Sequence, residues 1–174
     1  MIKVDLDTDA ISAALARALN VLSDSGMRDV MSEIGEELLD TTIKRIENGG
    51  PGPDGTPWAP KAESTYRRYV ASGEGADRRT LIHMGYLSGH GLHYSFDSGF
   101  AELRVSALYG AVMQFGAAKG AFGPYSGISK KTGRKYSGVA PWGNIPARPF
   151  VGISQQNESD ILDIISGALR SAFE

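Results

Sequence analysis

Apolar positions recur along this chain with two different periods, and its elements are marked by the places where one period gives way to the other. Ile2, Val4 and Leu6 alternate with polar residues, which predicts a short half-buried strand. From Ile11 the spacing becomes helical, with Ile11, Leu15, Ala18, Leu19 and Leu22 on one face. Asp7, Thr8 or Asp9 offers the side-chain oxygen that caps this helix. A longer helix starts at Asp24 or Ser25, carries Met27, Met31, Ile34, Leu38, Thr42 and Ile46 on one face, and stops at Asn48-Gly49-Gly50. Gly35 sits inside it at a cost of about 1 kcal/mol relative to alanine, which marks a close helix contact.

The run GGPGPDGTPWAP is too rich in proline and glycine for regular structure and reads as a turn-rich loop pinned by Trp58. A short helix follows in ESTYRRYVAS, then a turn-containing segment that buries Leu81, Ile82 and Leu87. Leu92, Tyr94 and Phe96 alternate before an Asp97-Ser98-Gly99 turn, and Ala101, Leu103 and Val105 alternate after it, the pattern of a hairpin. ALYGAVMQFG is helical again. Residues 117–143 hold no lasting apolar period and read as a long basic loop or a protruding hairpin. Ile161, Leu162, Ile165, Ala168, Leu169 and Phe173 then define an amphipathic last helix from Gln155 to Phe173. The whole is an α+β fold, a small, mainly antiparallel sheet flanked by helices, and 174 residues suit a single domain spanning 1–174.

Composition narrows the chemistry. There is no cysteine, which removes disulfides, thiol catalysis and cysteine-ligated metals together. The first residues lack the basic head and apolar core of a signal peptide, and no run is long and apolar enough for a membrane span, so the expected location is the cytoplasm. The formal net charge of −2 conceals a split. No acid occurs from Leu103 to Asn157, where Arg104, Lys119, Lys130, Lys131, Arg134, Lys135 and Arg148 lie, and the other 11 basic residues share the rest with all 20 acids. Such a split suits a surface that meets a charged partner or another copy of the chain.

Reactive groups give little. His83, His90 and His93 invite a metal hypothesis, but residues three apart on a strand face opposite ways and catalytic zinc needs three protein ligands. Ser88 lies near His90 without a nucleophile elbow, and no phosphate-binding glycine motif occurs. No metal, no cofactor and no catalytic residue is therefore expected. Lys130, Lys131, Arg134 and Lys135 can meet nucleic acid phosphates with Tyr125 or Tyr136 stacking on bases, or can simply keep a loop solvated. In PWGNIPARPFVGIS, Pro146 and Pro149 fix φ and remove two N–H donors, which predicts an edge strand or extended arm. Phe150, Val151 and Ile153 would dock it, and Arg148 is left to pair with a carboxylate or with carbonyls. An arm of this kind suits subunit contact better than chemistry.

Several separated pieces resemble one family in their order: GGPGPDGTPWAP, STYRR, LIHMGYLSGHGLHYSF, LYGAVMQFGA and NIPARPFVGIS before a terminal helix. They look like the virion morphogenesis, or tail completion, proteins of Mu-like tailed phages, from about Ile34 to the C-terminus. The most specific pieces are P-D-G-x-P-W and I-P-A-R-P-F. Where the family commonly has a histidine before Gln-Phe-Gly, this chain has Met113, so the position packs rather than catalyses. The resemblance implies a tail-terminator-like fold and a non-enzymatic structural protein of the neck or tail end, often a sixfold ring, that completes tails and joins them to heads. Implied partners are further copies of itself, tail tube and head–tail connector proteins, and packaged DNA by nonspecific contact, with no membrane. Assembly would take place in the host cytoplasm, and the protein would remain at the virion neck. The subunit-contact candidates are Trp58, Trp142, Pro146, Arg148, Pro149 and Phe150. Lys119, Lys130, Lys131, Arg134 and Lys135 are the candidates for the DNA-filled lumen or a partner. A DNA-binding or scaffolding factor absent from the virion is the alternative.

Overall fold

The computed structural model describes residues 8–74, 77–171 and 173, and its elements follow the order α1 (Thr8–Val21), α2 (Asp24–Asn48), α3 (Glu63–Ser72), α4 (Tyr86–Gly89), β1 (Leu92–Asp97), β2 (Phe100–Val105), α5 (Gly110–Phe115), β3 (Pro124–Ile128), β4 (Lys135–Val139) and α6 (Gln155–Ser171). Strands β1 and β2 form one antiparallel pair and β3 and β4 another, so the fold is α+β. The strand expected at Ile2, Val4 and Leu6 and the cap at Asp7 lie outside the described residues, as does the Ile11 side chain.

The chain divides into two compact units. The first takes the described residues up to Thr41, the hairpin residues His93–Arg104 and the chain from Ile153 onward. On α2 the apolar face turns inward, with Val30 and Ile34 buried. Gly35 marks a close approach, but by a strand aromatic rather than a helix: a Cβ there would sit 2.9 Å from Tyr94 Cε2. Tyr94 stacks on Phe96 at 5.7 Å, and the Arg28 guanidinium lies 5.3 Å over the Phe96 ring while donating to Asp97 at 2.8 Å. Helix α6 begins with a reciprocal cap: Asn157 N donates to Ser154 Oγ at 3.2 Å and Ser154 N donates to Asn157 Oδ1 at 3.1 Å. The buried Asn157 amide then donates to Thr41 Oγ1 of α2 at 2.8 Å. Helices α1 and α6 touch, yet Leu15, Leu19, Leu22, Leu162 and Phe173 of the two expected apolar faces stay more than half exposed.

The second unit takes Thr42–Leu92 and Val105–Gly152. Ile46, Leu87 and Phe150 are its large fully buried apolar side chains, and burial of each contributes about 1.5–3 kcal/mol. Helix α3 ends on Gly73 at φ 74°, which lets Glu74 N reach Tyr69 O at 2.9 Å and close the last turn. In the following turn Leu87 is buried as expected, whereas Leu81 and Ile82 are only half-buried. Leu81 is held at φ 66°, a conformation that costs an L-residue about 1–2 kcal/mol. Lys61 secures that turn by donating to Asp77 O at 2.7 Å and Ile82 O at 2.5 Å.

Candidate functional site

Three separated stretches of the second unit are tied into one knot. The first is the loop Pro53–Trp58. Asp54 Oδ1 accepts from Thr56 N at 3.0 Å and Oδ2 from the Thr56 hydroxyl at 2.8 Å, and these bonds hold the Asp54 carboxyl below its ordinary pKa. Gly55, at φ 80°, makes the turn possible. The loop delivers Trp58 into the interior, where Nε1 donates to Pro149 O at 2.8 Å.

The second stretch is Ile145–Phe150. Arg148 is only 8% exposed, and its guanidinium donates from Nε to Ala59 O at 2.8 Å and from Nη2 to Pro60 O at 2.9 Å. Burial lowers its pKa, and both of these close partners are carbonyls. Arg45 Nη1 donates to Phe150 O at 2.9 Å. The third stretch is α5 and its end. Gln114 Oε1 accepts from Phe150 N at 3.0 Å and Val151 N at 3.1 Å, while its amide donates to Val151 O at 2.9 Å. Arg148 N donates to Met113 O at 2.7 Å, and Ala117 and Ile145 exchange both backbone bonds. Gly116 is required here: at φ 73°, a Cβ would lie 2.7 Å from Ile145 O.

This knot is a common wall of two recesses. One, of about 290 Å³, runs past Lys61, Tyr69, Leu81, Met113 and Ile145 to the 73% exposed Trp142. The other, of about 550 Å³, is lined by Val105, Ala111, Gln114 and Phe150 and edged by Leu108, 99% exposed, and Phe115, 79% exposed. Large apolar side chains this exposed around a recess form a patch of the kind found at protein, membrane or ligand contacts.

Strands β3 and β4 pair in the register Tyr125↔Gly138 and Gly127↔Tyr136. Each tyrosine covers the glycine opposite: a Cβ on Gly138 would lie 2.8 Å from Tyr125 Oη, and one on Gly127 2.5 Å from Tyr136 Oη. The tip is closed by Ser129 N to Arg134 O at 2.9 Å and Gly133 N to Ser129 O at 2.8 Å. Lys119, Lys130, Lys131, Arg134 and Lys135 are all exposed.

The sequence model of the phage virion morphogenesis family matches residues 6–170. The chain belongs to the phage virion morphogenesis family. It is accordingly a phage virion assembly protein. No similar curated protein and no similar solved structure is found.

In this member of the family, the motif pieces P-D-G-x-P-W and I-P-A-R-P-F are bonded to each other. Trp58, Arg148 and Phe150 are buried within their own unit, Phe150 fully and the other two nearly so. Of the subunit-contact candidates, Trp142, Pro146 and Pro149 are exposed. Of the two forms expected here, an edge strand or an extended arm, the strand is not formed: the segment is irregular backbone with one isolated bridge at Ile145, and Ile153, expected to dock, is 59% exposed. His83 stacks on Tyr69 at 4.0 Å and meets Glu74 at 2.9 Å, lowering the Glu74 pKa, while His90 and His93 are exposed. Among the described residues, no three potential ligands gather around a metal position, and no helix is long and apolar enough to cross a membrane. Sequence reading missed Gln114, Arg45, Leu108 and Phe115. For the ladder, the signal was available: both strands carry Tyr-Ser-Gly, and antiparallel pairing sets each tyrosine against a glycine.

Proposed function

We propose that this virion assembly protein is a structural component of the phage neck or tail end, that it closes into a homo-oligomeric ring, a hexamer, and that the ring completes the tail and enables head–tail joining. Its work is contact, not catalysis. The observation that carries this reading is the pairing of an internally consumed motif knot with exposed Leu108, Phe115 and Trp142 beside it. The polar groups of the motifs fix a shape, and the apolar groups beside them remain open to a neighbour. Head-to-tail contacts of one patch with a different patch on the next copy close into rings.

Two measurements test the proposal. Native mass spectrometry of the purified chain should give one closed oligomer. Electron microscopy of lysates from a phage lacking the gene should show heads and tails unjoined, and normal infectious particles without the protein would refute the role. A second reading has its own support in the exposed cations and tyrosines of the β3–β4 hairpin: an assembly-time factor that binds nucleic acid and leaves before the virion is complete. It requires the protein to be missing from purified virions and its retention on duplex DNA to fall steeply with salt.

A further inference from the structure

The recess of about 290 Å³ beside the motif knot lies wholly in the second unit, and its lining contains no aspartate or glutamate. Two cations line it nonetheless. Arg148 is buried, its close bonds go to Ala59 O and Pro60 O, and Nη1 finds only Pro146 O at 3.5 Å. Lys61 Nζ donates to Asp77 O and Ile82 O, again carbonyls. Neither cation is bonded to a carboxylate among the described residues. Two acids are bonded to lining residues without lining the recess themselves: the Asp77 carboxyl is held by Arg79, and Glu74 meets His83. Burial has taken water from both cations and lowers the pKa of each. Carbonyl dipoles return part of that solvation, and a carboxylate entering the recess returns more. The rest of the wall is apolar and fixed in place. Met113, Ile145 and Leu81 belong to it; Ile145 is bridged to Ala117, and Leu81 is held at φ 66°. Leu81 is only half-buried, so packing does little to offset that strain, and strained backbone of this kind collects at ligand clamps. Tryptophan is highly buried on average, yet Trp142 in the lining is 73% exposed.

We infer that this recess binds an acidic–aromatic segment of another protein of the particle, with the aromatic side chain against Met113, Ile145 and Trp142 and the adjoining carboxylate toward Lys61 and Arg148. The inference deepens the contact reading, and it rests on that reading for the owner of the segment but not on the ring. A recess of this volume stands at the lower end for ligand sites, so it takes one large side chain and its neighbour rather than a folded element. Charge complementarity favours a partner over the same face of a second copy. Two such recesses turned toward each other set cation against cation, and the acid-free stretch from Leu103 to Asn157 supplies no carboxylate to separate them.

The test is an NMR titration of the full chain with three short blocked peptides: acetyl-Phe-Glu-amide, the neutral acetyl-Phe-Gln-amide, and acetyl-Ala-Glu-amide, which lacks the ring. The first should move the indole N–H signal of Trp142 and leave that of Trp58, which is bonded to Pro149 O. It should bind about fivefold or more tighter than either of the others, and salt should narrow its lead over the neutral peptide. Lys61→Met should abolish that lead. Because Lys61 also ties the turn, Ser64→Glu serves as a second variant. Ser64 is exposed on α3 and lines the recess, so a carboxylate placed there should weaken the Phe-Glu peptide and spare the Phe-Gln one. Equal affinity for the Phe-Glu and Phe-Gln peptides, or a Trp142 signal that none of the three moves, overturns the inference. A wild-type oligomer whose mass in light scattering falls on Ser64→Glu overturns the partner in favour of a second copy. A monomeric wild type that still prefers the Phe-Glu peptide overturns the ring and upholds the recess.

Discussion

Replacing Arg148 by alanine removes the central tie of the motif knot, and the structure sets the size of the effect. The guanidinium makes two close bonds, to Ala59 O at 2.8 Å and Pro60 O at 2.9 Å, plus a marginal one to Pro146 O at 3.5 Å. Hydrogen bonds to a charged donor contribute about 1.5–3 kcal/mol each, and a buried acceptor left empty costs about 1–3 kcal/mol. Pro60 is exposed, so its carbonyl regains water in the variant, whereas the half-buried Ala59 is less free to do so. Losing a desolvated cation refunds part of the loss, and the net for Arg148→Ala is about 2–4 kcal/mol. Arg148→Lys keeps the charge, but an ammonium cannot span both carbonyls as the planar fork does, so about 1–2 kcal/mol is lost. Urea titration followed by tryptophan fluorescence suits the measurement because Trp58 and Trp142, the only two tryptophans, both lie in the second unit. Comparison at equal protein concentration keeps self-association from masking the difference. An Arg148→Ala midpoint that shifts by less than about 0.5 kcal/mol at unchanged slope would refute the clamp and return Arg148 to the surface role its sequence suggests.

Gly116→Ala combines a left-handed backbone with a collision against Ile145 O, and thermal unfolding should show a loss of about 1–3 kcal/mol. The double variant Leu108→Ser with Phe115→Ser should leave the melting temperature within a few degrees of wild type while lowering the oligomer mass in light scattering, since both side chains are exposed. The Asp77 carboxyl, held by hydrogen bonds from the Arg79 side chain and backbone, has a lowered pKa. Its contribution to stability is therefore present above the ordinary aspartate range and is lost as pH falls through the depressed value. A carboxyl NMR titration should place its midpoint below the ordinary value and Arg79→Gln should raise it; a midpoint at or above the ordinary value contradicts the pairing.

Local signals were legible where the local chain decides the outcome. Helix α3 coincides with ESTYRRYVAS, and the β1–β2 hairpin turns at Ser98-Gly99 as the alternation requires. Apolar periodicity also placed Ile34, Thr42 and Ile46 on the buried face of α2. It could not say what covers a face, and Leu15, Leu19 and Leu22 keep the helical spacing while staying exposed. Residues 117–143 read as a long loop or a protruding hairpin, and the sequence could not decide for the β3–β4 ladder because tyrosine packing on glycine stabilises it, with no alternation of apolar residues. Prolines in Ile145–Phe150 announced an extended segment, but its partners lie 88 to 105 residues away for Arg148, Trp58 and Arg45, a distance over which no local pattern speaks. Leu81 at positive φ is illegible in principle, since nothing about leucine signals that conformation.

The spread of the knot along the chain bears on timing during synthesis. Arg45, Trp58 and Ala59 are translated first, Gln114 later, and Arg148 and Phe150 later still, so the early residues wait with their bonding groups open until residues 148–150 have been made. Closure of such long loops is slow compared with helix formation. The Gln114 bonds that seat α5 between Leu108 and Phe115 depend on Phe150 and Val151, so a chain interrupted before Phe150 cannot seat that helix in its finished form. Translation past Val151 is thus a condition for the finished knot: a chain truncated before it lacks the bonds that tie α5 to residues 150 and 151.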